Sequence, residues 1–94
     1  MNEKFYIISY DLKSPGRDYS SLYSAIKSVG DWLHPIESMW IVWTIQDSNA
    51  IFNMLHPKMD VNDLLFISET NLQNRQGWLP KTSWEWMNQR VGNV

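Results

Sequence analysis

The sequence predicts an α+β domain whose elements run strand, helix, strand, strand, helix, strand, followed by a short aromatic tail. Three observations carry this. Segments at residues 4–11, 39–45 and 64–69 are aromatic and β-branched and too short for helices. Two intervening segments carry apolar residues at helical spacing behind capping residues. A chain of 94 residues has room for one core only. This order is the ferredoxin-like split βαβ arrangement (βαββαβ) with an antiparallel sheet, expected over residues 1–70. Residues 71–94 are then a Trp-rich extension that packs on its own sheet or on a partner's.

Lys4 to Asp11 (KFYIISYD) has two largely apolar faces, Phe5, Ile7, Ser9 and Tyr6, Ile8, Tyr10, so both sides of this strand should be covered. Pro15-Gly16 marks a loop. Asp18 or Ser20 can cap a helix bearing Leu22, Tyr23, Ile26 and Val29, with Gly30 at its end. Pro35 cannot donate to a ladder, so Trp32 to Glu37 reads as an irregular or edge strand before a firm one at Met39 to Ile45. Asp47-Ser48-Asn49 offers capping chemistry for a short helix with Ile51, Met54 and Leu55 inward, stopped near Pro57. Asp60 to Asp63 is a polar turn, and Leu64 to Glu69 an alternating strand. In the tail, Pro80 and a Thr82 or Ser83 cap precede Trp84 to Met87, one or two helical turns ending before Gly92.

Composition narrows the function classes. Eight basic and ten acidic side chains give a net charge of −2, without the basic stripe that extended duplex binding needs. The absence of cysteine excludes disulfides, thiolate metal sites and a thiol nucleophile. No run approaches the roughly 20 apolar residues of a membrane span, and the N-terminus lacks a signal-peptide plan, so a cytoplasmic location without membrane contact is expected. Six tryptophans remain to be housed: Trp32, Trp40 and Trp43 in the central hairpin, and Trp78, Trp84 and Trp86 in the tail. One helix layer covers one face of a sheet. Met39, Ile41, Trp43 and Ile45 form one row of the third strand and Trp40 and Val42 the other, so the second face must be covered as well. Either the tail covers it, or a second copy does. A homodimer joined through the sheet face, with tail aromatics reaching the partner, meets both demands.

Asp11 is the leading candidate for chemistry. It ends an apolar strand at the entrance to a Pro-Gly loop, which puts a carboxylate at the sheet rim. Two such aspartates across a dimer axis would suit Mg2+ or Mn2+, which activates water or steadies a phosphate. Alternatively, Asp11 is a loop-start residue bonded to its own backbone. Tyr10, Lys13 and Arg17 flank the same rim, where Lys13 and Arg17 could pair with a phosphate and Tyr10 stack on a base. Tyr10 as a core residue and Arg17 paired with Asp18 are the plainer readings. Ser38 either bonds a phosphate or is a hairpin turn residue. His34 and His56 stand in no metal-binding frame. Asp60, Asn62 and Asp63 lack the glycine and distal glutamate of a calcium loop. Trp78, Trp84 and Trp86 either stack on bases or anchor the tail.

The strand ending in Tyr10-Asp11, the helix closing at Gly30 and the run Pro35-Ile36-Glu37-Ser38-Met39-Trp40-Ile41-Val42 resemble the small CRISPR-associated adaptation protein, which partners the integrase in spacer acquisition and belongs with the VapD proteins. Ser38-Met39-Trp40 stands where that superfamily carries a Ser-aromatic or Ser-Val-aromatic step. The fuller pattern, with a later NDLLFISE and GWLP, is similar to small bacterial and phage-borne proteins of the so-called SinR family. The resemblance spans residues 4–70, and the tail matches only the SinR-type group. It implies a ferredoxin-like homodimer with Asp11 of each protomer near the two-fold axis. It further implies a metal-dependent ribonuclease or nuclease site, an endoribonuclease in the leading reading, with Tyr10 and Ser38 beside it. The rival expectation, favoured by the low basic charge, is a non-catalytic dimer that binds RNA, a nucleotide or a protein in a toxin–antitoxin or phage-defence setting. The first helix departs from the CRISPR-associated pattern, since Lys27 is its only cation.

Overall fold

The computed structural model describes residues 2–91. β1 (Lys4–Asp11), α1 (Ser20–Val29), β2 (Asp31–Ile36), β3 (Met39–Thr44), α2 (Ser48–Leu55) and β4 (Leu64–Thr70) follow one another as expected, and α3 (Lys81–Val91) closes the chain. The four strands form one antiparallel sheet in the order β2-β3-β1-β4, a small α+β domain compatible with a ferredoxin-like fold. The local signals operate as chemistry requires. Asp47 caps α2 by accepting from the Ala50 N–H at 2.8 Å, and the Asp18 carboxylate accepts from the Ser20 N–H at 2.9 Å in front of α1. Pro35 lies where the β2–β3 register shifts between Leu33 and Ile36, so its missing N–H breaks no ladder bond. At the α1–β2 junction Gly30 is required for space. A Cβ there would come within 2.6 Å of the Trp43 carbonyl oxygen.

Strand alternation divides the core into two layers. Tyr6, Ile8 and Tyr10 of β1 and Trp40 and Val42 of β3 pack against Leu22, Ile26 and Val29 of α1 and Ile51 and Leu55 of α2. On the other face Ile41, Leu72 and Met87 are buried together, with Phe5, Ile7, Leu33, Met39, Leu79, Trp84 and Trp86 around them. The chain's own tail therefore covers the second face over β1, β2 and β3. Arg90 pins it: Nε donates to Asp31 on β2 at 2.7 Å, while the guanidinium lies 4.2 Å from the centre of the Trp86 ring.

The tail helix is longer than expected, eleven residues rather than one or two turns. Its cap also moves. The Ser83 N–H donates to the Pro80 carbonyl at 2.9 Å, so Thr82 and Ser83 lie inside the first turn. Its apolar side chains fall on one side only, and polar Asn88, Gln89 and Arg90 carry the helix onward once packing has fixed that side. The expected stop at Gly92 lies outside the described residues.

Candidate functional site

Alternation along β1 sends Asp11 and Tyr10 to opposite faces of the sheet. Asp11 is exposed on the tail face. Its carboxylate pairs with Lys13 Nζ at 2.9 Å, and both side chains are about half in water. Asp11 stands level with Leu64 of β4, and Ser9 level with Phe66. Together they floor a shallow groove of about 210 Å³ that α3 leaves uncovered.

Tyr10 is in the other layer, so the structure does not bring its side chain together with the Asp11 carboxylate. Its hydroxyl donates to the Glu37 carbonyl at 3.0 Å and accepts from the buried Trp40 Nε1–H at 3.0 Å. Burial pushes its phenol above the ordinary range, and the Trp40 N–H only partly offsets this. His34 donates from Nε2 to the same Glu37 carbonyl at 3.0 Å and stacks on Trp40 with ring centres 3.8 Å apart. The Tyr10 side chain is thus a clasp between the end of β1 and the β2–β3 hairpin.

Ser38 is exposed in the two-residue turn of that hairpin, and its backbone carbonyl accepts from the Tyr10 N–H at 3.0 Å. Its place at the rim near Asp11 comes from its backbone. Arg17 points away toward the α2–β4 connection, with Nη1 3.5 Å from Asp60 and Nη2 donating to the Lys58 carbonyl at 3.4 Å. The 60–63 segment is a turn, as read from the sequence. Asp63 organises it by accepting from the N–H groups of Lys13 (2.7 Å) and Asp60 (2.8 Å) and from the Tyr19 hydroxyl (2.9 Å). Burial alone would raise the Asp63 carboxyl. Those donors and the Arg17 charge prevail and hold it below the usual carboxylate range.

Among the described residues no group of three His, Asp or Glu side chains is placed to hold a metal. One protomer offers Asp11, already paired with Lys13. Mg2+ commonly takes one or two carboxylates plus phosphates and water, so a carboxylate from each of two protomers would fit it where one chain's Asp11 does not suffice. The structure also exposes what the sequence reading passed over: Leu64 (59%) and Phe66 (66%) on β4 and Phe52 (41%) on α2; Trp78, by contrast with Trp84 and Trp86, is 99% exposed and anchors nothing. Phe52, Leu65, Phe66 and Ile67 line a second groove of about 260 Å³ beside β4. A larger hollow of about 530 Å³ lies at the opposite end of the sheet around Lys4, Trp43, Glu69 and Arg90. Its two cations are paired with Glu69 and Asp31.

No protein-family profile matches the chain, and no curated protein matches it. Among solved structures it is similar to a hypothetical protein, TT1823, from Thermus thermophilus, with a TM-score of 0.61 and 20% identity. That match covers 84% of this chain and 96% of the other, a likeness of fold. No helix among the described residues is long and apolar enough to cross a membrane.

Proposed function

We propose that this chain is a ferredoxin-like βαββαβ domain acting as a homodimeric, non-catalytic binding module for a protein partner. The observation that supports its homodimeric form best is the apolar strip of Leu64, Phe66 and Phe52 around β4, left uncovered by both helix layers. The charge distribution supports a protein over a nucleic acid. Lys4, Lys13, Arg17 and Arg90 each pair with a carboxylate of the same chain, and a net charge of −2 offers phosphates little attraction. A cytoplasmic toxin–antitoxin or phage-defence setting is the context proposed for such a module.

A second reading, a magnesium- or manganese-dependent endoribonuclease, is favoured by one observation: the exposed Asp11 carboxylate on the floor of the groove. Asp11 of both protomers would hold the ion, which would supply water activation and charge stabilisation. Lys13 would turn from Asp11 to a phosphate, and the Tyr10 clasp would keep Ser38 at the rim. Sedimentation of the pure protein, with RNA incubated with and without Mg2+, separates the readings. A dimer that leaves RNA intact, in wild type and Asp11→Asn alike, is the expected result. Metal-dependent cleavage that disappears in Asp11→Asn would overturn the binding-module reading in favour of the nuclease.

A further inference from the structure

The two edges of the sheet are built differently. β2 is defended: it carries Pro35, its register is broken between Leu33 and Ile36, and its first residue, Asp31, is held by Arg90 of α3. β4 has seven regular residues, LLFISET, with neither proline nor lysine and Glu69 as its one charge. Pairing with β1 uses one side of it, and among the described residues no strand pairs with the other. Proteins commonly blunt such an edge with proline, lysine or a bulge, and an undefended one is a template for another strand.

The hydrogen-bond phase identifies which groups are free. The Tyr10 N–H donates to Ser38, so Tyr10 and the alternate residues Ile8 and Tyr6 turn their backbone groups toward β3. Ser9 and Ile7 therefore turn theirs toward β4, and Phe66 and Ser68 opposite them answer. Leu65 and Ile67 are left with N–H and C=O groups pointing outward, and Glu69 with its N–H, since its C=O accepts from the Ser68 hydroxyl at 3.2 Å.

We infer that the outer edge of β4 pairs antiparallel with the β4 of a second copy, joining two sheets into one. The self-fit supports that occupant. A two-fold axis at Phe66 sets Phe66 against its own copy, Leu65 against Ile67, and Leu64 against Ser68, so apolar side chains meet on both faces. Phe52 on α2 lies beside the same strand and extends the contact. The like-charged pair this creates, Glu69 opposite Asp63, falls at the ladder ends, where Lys4 stands 3.8 Å from Glu69 and Asp63 is turned into its own loop. Phe66, Leu64 and Phe52 expose on the order of 300 Å² of apolar surface per copy. With the paired backbone, two copies bury about 1,000 Å², the low end for a specific interface, so the dimer is weak. This contact rests on the homodimer of the proposed function and gives it a geometry. From strand spacing and rise, the two Asp11 residues then stand roughly 20 Å apart, too far to share one cation.

The test is residue-resolved amide exchange below and above the dimer midpoint found by sedimentation. Leu65, Ile67 and Glu69 are expected to exchange freely in the monomer and to slow roughly tenfold when nine-tenths of the chain is dimeric. Phe66 and Ser68 are expected to be protected in both states. Ile67→Pro, which removes an outward N–H and no bond within the sheet, is expected to weaken the dimer at least roughly tenfold with unchanged circular dichroism. Should that variant fail to fold, Phe66→Lys at the exposed position is expected to give a folded monomer. A dimer in which the Leu65, Ile67 and Glu69 amides stay fast would overturn the edge contact and leave the dimeric module standing. A protein monomeric at every concentration would overturn both.

Discussion

Replacing Tyr10 with phenylalanine isolates the clasp between β1 and the β2–β3 hairpin. The ring stays, and the change removes one oxygen that accepts from Trp40 Nε1 and donates to the Glu37 carbonyl. Trp40 is 1% exposed, so water cannot take over as acceptor and its N–H is left orphaned. An orphaned buried donor costs about 1–3 kcal/mol, whereas the Glu37 carbonyl retains its bond from His34. The expected loss is about 2 kcal/mol, or roughly 10 °C in Tm for a domain of this length. Urea unfolding followed by circular dichroism measures it without relying on the tryptophan being perturbed. In a Trp40→Phe background the donor is already gone, so Tyr10→Phe should cost about 1 kcal/mol less there. A Tyr10→Phe protein within about 0.3 kcal/mol of wild type, or an equal cost in both backgrounds, would refute the clasp.

Two further outcomes are expected. The Asp63 carboxyl is held below its usual range in the folded state, so it adds stability above the unfolded pKa and loses that contribution as pH falls through the folded value. Asp63→Asn should therefore be less stable than wild type at neutral pH, and the two stabilities should converge as pH falls through the folded-state value of the Asp63 carboxyl. A gap that persists unchanged in acid would mean that the Asp63 charge is not its source. Gly30→Ala would drive its new methyl to 2.6 Å from the Trp43 oxygen and 2.9 Å from Thr44 Cβ, and should cost about 1–3 kcal/mol in urea unfolding. Its extended φ of 173° suits any residue, so a neutral result would show that the α1–β2 junction shifts to make room.

The core elements were legible because their signals are local. Asp47 marks a helix start whatever lies around it, and Pro35 spoils a central strand anywhere. The apolar second rows of β1 and β3 correctly demanded a second cover. They could not say whether it came from the same chain, because covering by a tail and by a partner bury the same side chains. The site was harder to read for the same reason. Asp11 was found because a strand end is visible in sequence. That Tyr10 faces away from it follows from alternation, yet its engagement with Trp40 and Glu37 depends on contacts 30 and 27 residues apart. Leu64 and Phe66 read as ordinary strand residues. Their exposure arises because β4 is an edge strand that the tail does not reach, and sheet order is not written in a strand's own residues.

The two core layers also differ in strength, and this fixes the order in which the domain comes apart. The layer under α1 and α2 buries eleven residues in one cluster, and the layer under α3 only Ile41, Leu72 and Met87. The weaker layer also carries Trp86 Nε1 and Arg75 Nε without hydrogen-bond partners. Peeling back residues 71–91 is therefore the least costly large excursion from the native state, and it leaves the other layer and all four strands in place. The connection from Asn71 to Pro80 can act as its hinge. In the peeled form Phe5, Ile7 and Trp43 would stand bare, an apolar surface that the closed protein conceals.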